Sequence, residues 1–327
     1  MTQAMDFIVH LNELAVLRID GEDADNFLHT QLSNDISGMG AEDARLAAYC
    51  TPKGRMLGSL VAWRETAEAG SPLLAIVKAD LLEPLLKRLR MFVLRAKVRF
   101  EVTALKVHGV SMAPRAADAP QAPWPAPAGP WQVHREARAA RISAPAVVGG
   151  GPLRWWLVCP EDADAAALAG VPSRQNADAW RAQDVEAGLG WVEQANVELF
   201  IPQSLNYDLI GGVSFTKGCY PGQEVVARAH FRGTVKRRAV PGVCQAGTDS
   251  ALHAGMDVFD AQRPRSPAGR IINATPAGTE NGQQAGEWRV LMEISLTDIG
   301  HADFRALSPE GPAIRLLPQP YPLDDSR

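Results

Sequence analysis

Residues 112–130 hold seven alanines and six prolines among 19 positions, a composition that can neither propagate a helix nor pair within a sheet. The segment reads as an exposed loop or linker. It interrupts a chain of 327 residues, longer than one hydrophobic core usually serves, so two or three domains are expected. Before it, residues 14–19 alternate like a strand, and the run from Gly21 to Leu28 reads as a turn entering a helix with Phe27, Leu28 and Leu32 on its apolar side. Residues 47–61 read as two strands about the Pro52-Lys53-Gly54 turn, residues 73–77 as a buried strand, 81–90 as a helix and 97–102 as a further strand. The first hundred residues are thus α+β.

Structure is expected to resume near Trp131, with a strand over 153–158, an alanine-rich helix over 162–170 and a second helix over 177–187 that carries Trp180. From about residue 239 Pro and Gly are frequent and apolar runs are short, which suits a small β-barrel or sandwich. No apolar run approaches the ~20 residues needed to span a bilayer. The opening residues, Met1 to Asp6, lack the basic start and apolar core of a signal peptide. A cytoplasmic, monomeric protein is expected. The four cysteines form no C-x-x-C pair and the seven histidines show no metal-ligand spacing, so neither a disulfide scaffold nor a resident metal site is expected.

The most chemically loaded stretch is Lys217-Gly218-Cys219-Tyr220-Pro221-Gly222-Gln223-Glu224. Pro221 suits the first position of a helix, which would set Cys219 just ahead of free N–H groups and the positive end of the helix dipole. Such a setting, with Lys217 two residues away, stabilises a thiolate. A buried structural cysteine is the competing reading, but two glycines and three polar residues crowd a segment that a core strand would fill with apolar side chains. From Lys217 to Arg238 six basic residues face a single acid, a local net charge of +5 in a chain whose overall charge is −4. This reads as an anion-attracting surface, with a solvated barrel edge as the plain alternative.

A family resemblance rests on Phe200-Ile201-Pro202-Gln203, Asn206, Gly211-Gly212-Val213-Ser214-Phe215, the 217–224 stretch and Ala227-Arg228. It is supported by Gly21 to Leu28, Lys53-Gly54-Arg55, Glu186-Ala187-Gly188 and the closing Pro318 to Leu323. These anchors span nearly the whole chain and resemble the YgfZ/GcvT-like folate-binding family, related to the glycine-cleavage T-protein. The resemblance implies an α+β, three-part ring-like architecture with ferredoxin-like portions. Residues 1–238 would form the folate-binding region as two intertwined subdomains, and 239–327 a C-terminal β-barrel. It implies an accessory role in assembling or repairing iron–sulfur clusters in client enzymes, among them radical-SAM enzymes that modify tRNA, with Cys219 as the working thiol. Tetrahydrofolate or a derivative is the implied cofactor. The family's folate-contacting tryptophan falls on Trp180, which the residue alone would assign to the core. A second family tryptophan is replaced by Leu14, which removes one stacking surface. Glu186, Lys217, Tyr220, Gln223, Glu224 and Arg228 complete the implied site.

Three other functions compete. A folate-dependent aminomethyltransferase needs a carboxylate near the reacting nitrogen, for which Asp35 and Asp184 are the available acids. Direct tRNA binding through the basic segment is opposed by the acidic overall balance. A cysteine hydrolase would need a base, for which His230 is the candidate.

Overall fold

The structure, a computed structural model, describes residues 6–115, 124–231, 233, 235–247, 251–277 and 286–323. Among these residues three sheets and five short α-helices form an α+β fold. The first sheet has five antiparallel strands in the order Ala44–Cys50, Met56–Arg64, Leu73–Lys78, Leu14–Asp20, Arg99–Val102. Two helices, α1 (Ala24–Gln31) and α2 (Leu82–Phe92), cover one face. Side chains alternate between faces along a strand, and the cores follow that period. Ala47 and Tyr49 pack with Phe27 and Leu28 of α1 and Leu85, Leu86 and Leu89 of α2. Ala44, Leu46, Ala48 and Cys50 point the other way, into a core shared with Phe7, Val107, Trp156 and Trp180 of the second sheet and the helix packed on it.

That second sheet runs Ser173–Arg174, Phe7–His10, Leu105–Met112, Leu153–Pro160, Ala139–Ser143, Val133–Glu136, parallel only between its first two strands. The chain enters it at Phe7, leaves to build the whole first sheet, and returns at Leu105. The two α+β units are therefore interleaved along the sequence. The third sheet is antiparallel, in the order Phe304–Ala306, Asp257–Asp260, Gly269–Pro276, Glu287–Ser295, Arg237–Gln245, Ile314–Leu316. A bridge between Arg305 and Ala313 brings its edges together, leaving a nearly closed six-stranded barrel around Val240, Val258, Ile271, Met292 and Phe304.

The proline-rich segment is a loop in its described part, with no helix or strand beyond Met112. It joins two paired strands of one sheet, Leu105–Met112 and, through the 133–143 hairpin, Leu153–Pro160. It is an insertion within a unit, and the described part is not simply exposed: Trp124 is buried, edge-on to Trp155 at 5.4 Å and beneath the Arg141 guanidinium at 5.1 Å. An aromatic with that much apolar area pins a segment whose backbone has no ladder of its own. Residues 116–123 of the segment lie outside the described residues, as do Met1 to Met5 of the opening read for a signal peptide.

The remaining helices, α3 (Ala165–Ala169), α4 (Asp178–Glu186) and α5 (Gln223–Phe231), bracket the functional segments. Tyr321 packs back onto the turn after α4. The Tyr321 hydroxyl donates to Gly188 O at 2.8 Å and accepts from Asn206 Nδ2 at 3.1 Å. Gly188 has φ +64°, and a Cβ there would stand 2.6 Å from that hydroxyl, so the Glu186-Ala187-Gly188 turn requires glycine. No helix among the described residues is long and apolar enough to cross a membrane.

Candidate functional site

Cys219 is the exposed one of the four cysteines. Burial pushes the Cys50 thiol up to about 12 and Cys244 up to about 11, and raises Cys159 as well. The loop that presents Cys219 differs from expectation in one respect: α5 begins at Gln223, so Pro221 lies two residues ahead of the helix and Cys219 four. The cause is Gly222, whose φ of +86° belongs to the left-handed region and cannot continue a right-handed helix. Its backbone is pressed against Thr51 O and Gly54 of the hairpin turn.

Lys217 turns away from solvent and caps α1. Its Nζ donates to His29 O and, at 2.9 Å, to Leu32 O, and lies 4.7 Å from the centre of the Tyr220 ring. Burial draws the ammonium down to about 8, opposed by the charges of Asp35 and Cys219. A cation at a helix C-terminus satisfies carbonyls that have no partner within the helix. Lys217 thus anchors the thiol loop to α1, with Tyr220 buried beneath it. Gln223 is half-buried, and Glu224 and Arg228 are exposed on α5.

Leu14 and Trp180 meet in a different place, a narrow pocket of about 30 Å³ where the first sheet, α4 and the barrel strand Gly269–Pro276 converge. Cys219 is not among its lining residues. Trp180 is 1% exposed, edge-on to Trp156 at 6.1 Å, with the Arg154 guanidinium 4.2 Å above its ring. Gly109 packs so close that a Cβ there would lie 2.4 Å from Trp180 Cδ2. The polar lining was not legible locally. Arg181 Nε donates to Glu13 Oε1 at 2.8 Å, Lys78 pairs with Glu193 at 3.1 Å, and Arg154 bonds Asp184. Burial pulls the Glu13 carboxyl upward but Arg181 outweighs it and holds it low, whereas burial raises Asp184 against the pull of Arg154. Glu13 Oε2 and Trp180 Nε1 are buried without a hydrogen-bond partner. Buried polar atoms of this kind ordinarily have partners, and these two match a ligand carrying both donors and acceptors. The chemistry fits a pterin, but the volume holds only one or two waters. Arg181 also lines an open cleft of about 650 Å³ with His10, Asn12, His108 and Arg174, so the Glu13–Arg181 pair stands between that cleft and the cavity.

Glu186 belongs to neither place: it accepts from Arg289 Nε at 2.7 Å and ties α4 to the barrel. The basic surface is also partly neutralised by internal pairs. Arg238 is buried against Asp208 at 2.6 Å and Arg237 bonds Glu293 at 2.9 Å and Ala268 O at 2.8 Å. With Lys217 spent on carbonyls, the exposed cations of the run are Arg228 and Lys236 among the described residues, Arg232 lying outside them. His230 stacks face to face on Phe215 with ring centres 3.5 Å apart and edge-on to Phe231. Among the described residues no group of three or more His, Cys, Asp or Glu is placed to hold a metal ion.

No family model matches the chain. It is similar to the tRNA-modifying protein YgfZ of Klebsiella pneumoniae (strain 342), 29% identical over 98% of this chain and 94% of that protein. With the tRNA-modifying protein YgfZ of Escherichia coli O45:K1 (strain S88 / ExPEC) it shares 30% identity over 70% of this chain and 69% of the relative. Among solved structures it resembles the glycine cleavage system aminomethyltransferase T from Bartonella henselae, at a TM-score of 0.69, over 100% of this chain and 88% of that one. Identity there is 14%, so the likeness is one of fold.

Proposed function

The chain belongs to the YgfZ family of tRNA-modifying proteins, and we propose that it is a folate-binding accessory factor that supports iron–sulfur cluster assembly or repair in client enzymes through the Cys219 thiol. One observation carries the reading: a single exposed cysteine, on a glycine-framed loop anchored by Lys217 to α1, while the other three are buried. One accessible thiol suits a transient sulfur or iron contact, since a resident cluster requires about four ligands. Tetrahydrofolate or a derivative would be held around Leu14 and Trp180, with Glu13 Oε2 and Trp180 Nε1 as its polar partners. The folate would supply a bound reduced pterin. The chain's own residues bind it and exclude water.

Asp184 favours a second reading, aminomethyl transfer. Its carboxylate lines the Trp180 cavity and its proton affinity is raised by burial, as proton transfer near a folate nitrogen requires. Calorimetric titration with reduced folates, a turnover assay with glycine-cleavage substrates, and complementation of an iron–sulfur-dependent tRNA modification by wild type and Cys219→Ser separate the two. Binding without turnover, with loss of complementation in Cys219→Ser, supports the accessory role. Turnover that survives Cys219→Ser and is lost in Asp184→Asn sinks it in favour of transfer.

A further inference from the structure

The thiol loop docks on the end of α1, and that end carries an imidazole with no part in the function above. The His29 side chain is 17% exposed, and its Nδ1 lies 3.0 Å from Asp35 Oδ1. Asp35 Oδ1 also accepts the Gly38 backbone N–H at 2.8 Å, which fixes the carboxylate. The Ser37 backbone N–H approaches the same Nδ1 at 3.4 Å. One ring nitrogen cannot accept from Ser37 and donate to Asp35 in the same state, so the two contacts belong to different protonation states of Nδ1. The tautomer with its proton on Nδ1, facing Asp35, leaves the lone pair on Nε2.

Nε2 faces the thiol loop. A Cβ added to Gly218 would meet it at 3.7 Å, the one contact that position makes within 4 Å. Gly218 directly precedes Cys219, and Lys217 on its other side is bonded to the carbonyl of the same His29. Backbone and ring of His29 thus grip both ends of a two-residue step. Consecutive Cα atoms are about 3.8 Å apart, so the exposed Cys219 leaves the loop one residue from the ring.

We propose that His29, oriented by Asp35, is the acid–base partner of Cys219. The inference rests on the thiol-based function above. In the step the S–H bond breaks, its proton moves to Nε2, and the electron pair stays on sulfur. The protonated ring faces the Asp35 carboxylate, 3.0 Å from Nδ1. When the thiolate attacks an electrophilic sulfur or carbon, the same proton is returned to the leaving group. Asp35 is a positioning residue, acting through the ring.

The test is the rate of Cys219 alkylation by iodoacetamide as a function of pH, on the full chain, for wild type, His29→Gln and Asp35→Asn, with the modified site mapped by mass spectrometry. Wild type is expected to react on the acidic side of neutrality. His29→Gln should lose that limb by roughly tenfold or more while keeping the alkaline plateau, which also reports an intact loop, and Asp35→Asn should lose a smaller part of it. A His29→Gln profile that superimposes on wild type overturns the proposal, and so does a Cys219 that stays unreactive at alkaline pH. Complementation by Cys219→Ser judges the parent reading separately. Loss of complementation with an unchanged His29→Gln profile removes the relay alone, whereas retained complementation removes the accessory role and leaves the titration result standing.

Discussion

Gly54 and Gly222 meet backbone to backbone: a Cβ on Gly222 would stand 2.7 Å from Gly54 Cα and 2.5 Å from Thr51 O, and one on Gly54 would stand 2.9 Å from Val225 Cβ. Both residues have positive φ, +73° and +86°. The turn between strands Ala44–Cys50 and Met56–Arg64 and the loop ahead of α5 are therefore one packing unit, and the thiol is held against the first sheet by two residues that lack side chains. Gly222→Ala combines left-handed strain with a backbone clash. It is expected to cost about 1–3 kcal/mol in denaturant unfolding and to make the 217–222 loop more susceptible to proteolysis. A variant as stable and as resistant as wild type would show that the contact is dispensable.

Cys219 should be the first thiol alkylated under native conditions, with Cys50, Cys159 and Cys244 reacting only on unfolding, because burial both shields them and raises their proton affinity. Cys219→Ser, an exposed substitution, should change stability by no more than about 0.5 kcal/mol. Faster labelling of any of the other three by mass mapping contradicts this ordering.

Trp180→Ala removes a ring that is 1% exposed and should cost about 3–5 kcal/mol of stability, so Trp180→Phe is the cleaner probe of binding. It should keep the fold and weaken reduced folate by about 0.5–1.5 kcal/mol in calorimetry. Unchanged affinity returns Trp180 to a purely structural role. Leu14→Trp would restore the second aromatic wall, but the cavity of about 30 Å³ has no room for an indole. Overpacking should lower stability by about 1–3 kcal/mol. A stable Leu14→Trp protein that binds folate more tightly would mean the cavity opens readily.

His108 is drawn down to about 4, first by burial and then by the charge of His10, whose ring centre is 5.2 Å away. Its folded pKa lies below the unfolded value, so the unfolded chain binds the extra proton. The stability is fully present above the unfolded value of about 6.5 and is lost as pH falls from there toward 4. A shift of that size corresponds to roughly 3 kcal/mol, which partial solvent screening trims to about 1–2 kcal/mol. His108→Gln should flatten the decline of melting temperature between neutral and acidic pH. A slope equal to that of wild type excludes His108 as the cause.

The elements and their class were written locally. The alternation Ala44, Leu46, Ala48 against Ala47, Tyr49 already assigns two faces to one strand, and the apolar spacing of Leu85, Leu86 and Leu89 already makes α2 one-sided. The thiol loop was legible for the same reason, since Lys217-Gly218-Cys219 and Gly222 carry their chemistry and their backbone freedom in adjacent positions. Residues a few positions apart interact whatever the rest of the chain does, so their pattern can be read without the fold.

Contacts between distant residues have no such signal. Lys217 reads as a free cation beside a thiol, yet its partners are carbonyls 185 and 188 residues away. Arg237 and Arg238 read as an anion surface, yet Glu293 on the adjacent barrel strand and Asp208 outside the barrel neutralise them. The placing of His29 against Gly218, and the gathering of Glu13, Asp184 and Trp180 around one cavity, were decided by how three sheets close on each other. A side chain's charge and shape are properties of the residue. Which group it faces, and whether water still reaches it, is fixed only when chain segments more than a hundred residues apart exclude solvent between them.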